Sequence, residues 1–215
     1  SLFLAVLLAA GVLPLRALAA DGGMTTSDAG VDFIIGFEGY RQYAYEDGGS
    51  WYIGYGTACE EDEYPDGVTE EEAEQLLRDH LVDMEAMLNS FLLRYEVELT
   101  QYQYDALVSL TYNIGTTWIN PSYRLCQYLM GNLPDSTRDD VVNYIGTWCH
   151  VGRDVVHGLA LRRLQEAYLF LDGDYENAGA EEYTYVHFDV EADEIEHSTV
   201  FYRINETYEL LPTPT

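Results

Sequence analysis

Hydrophobic positions along the chain fall into a leading apolar run, a short helix, an alternating hairpin, several amphipathic helices and a closing alternating stretch. Residues 2–15 (LFLAVLLAAGVLPL) are apolar, too short to span a bilayer comfortably, and interrupted by Pro14. Ser27 can cap a helix carrying Val31, Ile34, Ile35 and Phe37 up to Glu38, with Gly39 as its stop. Tyr43, Tyr45, Trp51, Ile53 and Tyr55 then alternate about Asp47-Gly48-Gly49-Ser50, a β-hairpin signature. An acidic loop over 60–67 follows. Thr69 with Glu72 makes a capping box for a long helix whose stripe is Ala73, Leu76, Leu77, Leu81, Met84, Leu88 and Phe91. Thr100 and Gln103 repeat that device before Leu107, Leu110 and Ile114, closed by Gly115, and shorter helical patterns cover 121–130, 137–148 and 159–171. Two-residue periodicity returns over 183–190 and 200–204.

The expected fold class is α+β and mostly helical. A small helix and β-hairpin lobe comes first, then a long connecting helix and a helical lobe, with a cleft between the lobes. Residues 1–19 read as a signal peptide without its basic n-region, cut after Ala17-Leu18-Ala19, so the protein is expected to be secreted or at the cell surface. Residues 20–174 form the main domain, 175–182 a Gly-, Ala- and acid-rich linker, and 183–215 the start of a second, β-rich module cut short.

Composition narrows the function. The 215 residues carry 38 Asp+Glu against 10 basic residues, all of them Arg, for a net charge of −28. That leaves little material for a basic face and excludes nucleic acid as a partner. A 47% apolar fraction excludes a disordered acidic chain. Cys59, Cys126 and Cys149 are odd in number and match no zinc or redox spacing; one Cys126–Cys149 bridge and three buried thiols both remain open. The histidines, His80 among them, lack metal-ligand spacing and read as ordinary surface or core residues, so neither a metal nor a cofactor is expected.

Chemistry concentrates in one stretch. Glu38 ends a helix and Asp47, nine residues later, sits at a hairpin turn, which can aim two acids at one cleft from two rigid elements. Glycosidic cleavage needs such a pair, one protonated to donate to the leaving oxygen and one ionised to activate water or attack carbon. Glu38 beside Phe37 suits the first role, and Asp47 among glycines suits the second. Spacing alone also allows two solvated carboxylates in so acidic a chain.

Residues 31–173 resemble the phage-type lysozymes, the muramidase endolysins of glycoside hydrolase family 24. The resemblance rests on Glu38-Gly39, Tyr45-Glu46-Asp47, Ile53-Gly54-Tyr55-Gly56, VTEEEAEQLLRDHL (68–81), LTQYQYDALVSLTYNIG (99–115), Trp148 and Gly158-Leu159 with Arg162-Arg163 and Glu166. It implies a two-lobed lysozyme fold and hydrolysis of the β-1,4 bond between N-acetylmuramic acid and N-acetylglucosamine in peptidoglycan. It implies Glu38 as general acid and Asp47 as the carboxylate positioning the attacking water, with inversion. Tyr112, Asn113 and Ser122 match family positions that line or support the saccharide cleft, and Arg162 a family arginine near the site. A core aromatic for Tyr112 and a structural ion pair for Arg162 are the plainer readings of those two.

Two positions depart from the family. Tyr52 stands where Thr usually helps hold the water, after a turn one residue shorter, and Thr57 stands where His is common. A phenol can hydrogen-bond that water, but its hydroxyl sits ångströms away from a threonine's. A lysozyme-fold module that only binds glycan is therefore the main alternative, and a chitosanase-like hydrolase of a cationic glycan ranks behind it. The tail, including Tyr185-Val186-His187-Phe188-Asp189 and Tyr208-Glu209-Leu210-Leu211-Pro212, is similar to the front half of a Listeria–Bacteroides (internalin B-type) repeat. That likeness implies further cell-surface modules beyond the C-terminus.

Overall fold

The computed structural model describes residues 23–151 and 154–176, with the backbone of three two-residue strands further on. The expected signal peptide lies outside the described residues, as do most of the linker and of the β-rich tail. Helix α1 (Asp28–Glu38) leads into strands β1 (Arg41–Asp47), β2 (Ser50–Gly54) and β3 (Thr57–Cys59). Helix α2 (Glu70–Tyr95) follows, then α3 (Gln101–Ile114), a 3-10 turn (Thr116–Trp118), α4 (Arg124–Leu129) and α5 (Arg138–Gly146). A small hairpin, β4 (His150–Val151) and β5 (Asp154–Val155), precedes α6 (His157–Asp172). Strands β6 (Thr184–Tyr185), β7 (Phe201–Tyr202) and β8 (Leu210–Leu211) pair antiparallel in that order.

The helix ends follow local chemistry. Ser27 Oγ accepts from Gly30 N at 3.0 Å to open α1, and Gly39 takes φ 69° to close it, so Glu38 is the last helical residue. Thr69 and Glu72 complete the expected capping box of α2, and Gln103 accepts from the Thr100 amide at the start of α3. All seven apolar stripe positions of α2 face the core; Leu76 and Met84 are only partly buried. Glu85 and Asn89 are buried beside them because they hold the segment entering α1. Thr26 donates to Glu85 Oε1 from both N and Oγ1, at 2.8 and 2.6 Å, and Met24 N donates to Asn89 Oδ1 at 3.1 Å. Asp105 on α3 accepts from Ser27 N and Oγ at 3.0 and 2.5 Å and from Tyr175 Oη at 2.6 Å. Helix α1 is thus fastened to α2 and α3, which fixes where its last residue points.

Helix α3 runs through the centre of the helical lobe, packed against α1, α2 and α6. Tyr104, Leu107, Val108 and Leu110 from it are fully buried with Trp118, Leu164 and Phe170. Helices α4 and α5 lie within the expected 121–130 and 137–148 but are shorter.

The sheet differs from the expected hairpin in two ways. A third strand, β3, pairs with β2, and the register separates the alternating residues between two faces. Gly48 and Gly49, with φ of 60° and 86°, form a two-residue turn, so Asp47 opposes Ser50, Glu46 opposes Trp51 and Tyr45 opposes Tyr52. Tyr45 and Asp47 therefore share a face with Tyr52, while Trp51 and Ile53 look the other way, Ile53 being fully buried. Gly54 sets the sheet on α2: at φ 64°, a Cβ there would stand 2.8 Å from the Ala73 Cβ. All three cysteines are free, which removes the Cys126–Cys149 bridge. Burial pushes the Cys126 and Cys149 thiols up to about 11 and about 12, so both are inert at neutral pH.

Candidate active site

The end of α1, the sheet, α2 and α3 converge on a cleft of about 340 Å³ lined by Glu38, Tyr52, Gly56, Ala58, His80, Tyr112 and Asn113. Gly56 lets the β2–β3 turn approach Glu38. Its φ is 90°, and a Cβ would sit 3.4 Å from Tyr112 Oη and 3.8 Å from Glu38 Oε2. Tyr112 donates from Oη to the Tyr55 carbonyl at 2.6 Å, clamping α3 to the sheet across the cleft. Its phenol is raised above the ordinary range by burial first, with the Glu38 charge adding and Arg162 opposing. It both lines the cleft and supports it.

Glu38 is held from the helical lobe. Arg162 Nη1 lies 2.5 Å from Glu38 Oε1, with side chains 6% and 21% exposed respectively. The same guanidinium reaches Glu166 Oε1 through Nε at 3.1 Å and stands 4.6 Å over the Phe37 ring. Glu166, fully buried, also pairs with Arg163 Nε at 2.6 Å and accepts from Ser109 Oγ at 2.7 Å. Arg162 and Arg163 together satisfy the buried Glu166, and the guanidinium of Arg162, spanning Glu166 and Glu38, gives the Glu38 carboxyl one orientation.

Asp47 is exposed at the hairpin turn and is not among the residues lining the cavity. It nevertheless lies on the sheet face that carries Tyr45 and Tyr52, whose rings are 6.0 Å apart. Tyr45 senses both acids. Burial raises its phenol first, the Arg41 guanidinium opposes, and Asp47 and then Glu38 raise it further. Asn113 lines the cleft, while its Oδ1 is buried and has no hydrogen-bond partner among the described residues. Ser122 does not come to the cavity; it is exposed, and its N and Oγ both donate to Asn120 Oδ1, at 2.9 and 2.8 Å.

The structure thus brings together Glu38, Tyr52, Tyr112, Asn113 and Arg162, sets Asp47 on the adjoining sheet face and leaves Ser122 apart. His80 is a cleft residue that spacing to other histidines could not reveal. Its signal was its place in the α2 stripe, four residues after Leu76 and seven after Ala73, at the stripe's solvent edge. Among the described residues, no group of three His, Cys, Asp or Glu converges as a metal site. No helix among them is long and apolar enough to cross a membrane.

Comparison with known proteins gives this arrangement a family. The chain is 36% identical to the endolysin of Bacillus phage B103 over 162 residues, covering 74% of this chain and 58% of that protein. It is 33% identical to the endolysin of Acyrthosiphon pisum secondary endosymbiont phage 1, over 68% of this chain and 98% of that one. It therefore spans little more than half of the first relative and nearly all of the second. Among solved structures, it superposes on an endolysin from Escherichia coli O157:H7 phage FAHEc1 with TM-score 0.59 and 32% identity, covering 72% of this chain and 98% of the other. The muramidase domain of SpmX from Asticaccaulis excentricus gives 0.56 and 32%, over 68% and 97%. P1 phage endolysin Lyz, at 18% identity and TM-score 0.57 over 74% and 92%, shares the fold. Residues 35–166 match the phage lysozyme family, and the chain belongs to it.

Proposed function

We propose that this protein is an exported muramidase that hydrolyses the β-1,4 bond between N-acetylmuramic acid and N-acetylglucosamine in peptidoglycan. The observation that carries the reading is Glu38, oriented by Arg162 and opening on a cleft whose sheet wall bears Tyr52 and, at its edge, Asp47. Glu38 donates its proton to the glycosidic oxygen as the bond to the anomeric carbon breaks. Asp47 takes a proton from the water that attacks that carbon from the opposite face, so the product is inverted and both carboxyl groups exchange protonation states. Tyr112 holds the two walls together, and the proposal gives Tyr52, which lines the cleft, the role of hydrogen-bonding the water or the sugar. Export is supported by the apolar run at 2–15 and its Ala17-Leu18-Ala19 exit.

Release of muramic-acid reducing ends from purified peptidoglycan tests the proposal. Glu38→Gln should lower the rate by about 100- to 10,000-fold, and Asp47→Asn should cut turnover sharply with folding intact. Unchanged turnover in Asp47→Asn means that a different group activates the water. A second reading, glycan binding without cleavage, draws on the exposed Asp47 outside the cavity lining and on Tyr52 in the usual threonine position. It is favoured if the wild type releases no new ends yet binds the polymer.

A further inference from the structure

The sheet wall of the cleft carries an aromatic pair whose rings the hydrolytic scheme leaves without a role. Tyr45 on β1 and Tyr52 on β2 stand opposite each other in the antiparallel register, so both side chains leave the same face of the sheet. Their ring centroids are 6.0 Å apart with planes inclined at 37°, so neither ring lies flat on the other. Both are half-buried, and Tyr52 lines the cleft together with Glu38. The Arg41 guanidinium stands 5.7 Å over the Tyr45 ring and backs it from one side. Burial raises the Tyr45 phenol first, Arg41 opposes, and Asp47 and Glu38 raise it further, so this ring stands within the fields of both carboxylates.

A pyranose has a face made largely of weakly positive C–H groups, and a tyrosine ring meets them with the negative face of its quadrupole. The sugar's hydroxyls, at its rim, keep their hydrogen bonds while that face leaves water. We propose that Tyr45 and Tyr52 form an aromatic platform on which a pyranose ring of the glycan stacks beside Glu38. The inference rests on the muramidase reading for the class of ligand and deepens it. The contribution of Tyr52 to binding then comes from its ring, which a threonine at that position lacks, and its hydroxyl stays free for the role given above. Asp47 follows two residues after Tyr45 on the same strand and face, so a sugar held by the platform lies between the element that carries Glu38 and the one that carries Asp47.

Two measurements on the full chain test the proposal: KM from the release of reducing ends, and calorimetric Kd for the N-acetylglucosamine tetramer in the Glu38→Gln background, where the ligand stays whole. Tyr45→Leu and Tyr52→Leu keep apolar bulk but no flat π-face, and each should raise KM and Kd by about two- to tenfold. Tyr45→Phe and Tyr52→Phe keep the ring and should hold Kd within about twofold, and any loss in Tyr52→Phe should fall on kcat, where the hydroxyl acts. The tetramer should also perturb the ultraviolet absorption of tyrosine, and that difference signal should shrink when Tyr45→Phe and Tyr52→Phe are combined. A Leu variant with the wild-type melting temperature and the wild-type Kd overturns the proposal, as does a Phe variant that binds as weakly as the Leu one. An undiminished difference signal in the double Phe variant overturns it even where the Leu variants do not fold. Ring-dependent binding without any release of reducing ends overturns the hydrolytic reading alone, and absence of both binding and hydrolysis overturns the two together.

Discussion

Arg162 does two jobs with one guanidinium, touching Glu38 in the cleft and Glu166 in the core while covering Phe37. The plainer expectation, a structural ion pair, and the family expectation, a residue beside the active site, describe the same side chain. Removing it leaves a buried Glu166 that keeps Arg163 and Ser109, and a Glu38 with no other hydrogen bond or ion pair among the described residues. Arg162→Ala should therefore cost about 3–5 kcal/mol, as breaking a buried pair does, read from urea unfolding midpoints. Arg162→Lys keeps the charge but not the fork that spans both carboxylates, so it should retain more stability than Arg162→Ala while still losing turnover. An Arg162→Ala protein with the wild-type midpoint would show that Arg163 and Ser109 satisfy Glu166 without it.

Among the elements, the sheet sets the second carboxylate relative to Glu38, because Tyr52 lines the cleft and Asp47 stands on the adjoining face only if the sheet sits correctly on α2. Gly54 is the contact point, at φ 64° with the Ala73 Cβ directly beneath it. Gly54→Ala forces an unfavourable left-handed residue, about 1–2 kcal/mol, and a steric overlap of about 1–3 kcal/mol. The expected result is a fall in melting temperature together with a loss of activity, since Tyr52 is two residues away on the same strand. Activity unchanged at wild-type stability would mean that sheet and helix separate without consequence. The helix boundaries were legible in the sequence because caps are local chemistry: Ser27 before α1, Thr69 with Glu72 before α2 and Gly39 after Glu38 each announce themselves within four residues. Alternation announced a hairpin but not its faces. The set of Tyr43, Tyr45, Trp51, Ile53 and Tyr55 only divides once a two-residue Gly48-Gly49 turn puts Tyr45 against Tyr52 and Glu46 against Trp51. Strand β3 and the β4–β5 hairpin have too few residues to carry a period, and His80 is marked only by its place at the solvent edge of the α2 stripe, which does not distinguish a cleft residue from a surface one. Ser122, matched by family position, is instead held by Asn120 within its own loop.

Charge is a property of the whole molecule, and here it opposes the proposed substrate. Of the ten arginines, Arg162 and Arg163 are buried in the ion-pair chain, and Arg78 and Arg138 are paired with Asp28, Glu74 and Asp172 on the surface. The acids are placed the other way: Glu60, Glu61, Asp62, Glu63, Asp66, Glu70, Glu71 and Glu72 are all exposed, on the loop and first turn of α2 just beyond β3. A net charge of −28 and an anionic cell wall then repel each other at long range. Apart from Glu38, the cleft is lined by hydrogen-bonding and small residues, so on the muramidase reading this repulsion acts on encounter rather than on chemistry. Raising ionic strength from about 0.01 to 0.15 M shortens the screening length from about 30 to 8 Å. Initial rates on intact anionic walls should consequently rise several-fold over that range, while rates on short uncharged N-acetylglucosamine oligomers stay flat. Turbidity clearing and reducing-end assays run in parallel would separate the two. A rate on walls that falls with salt would mean that local attraction, not the net charge, governs the encounter, and a parallel rise on neutral oligomers would mean that salt acts on the fold instead.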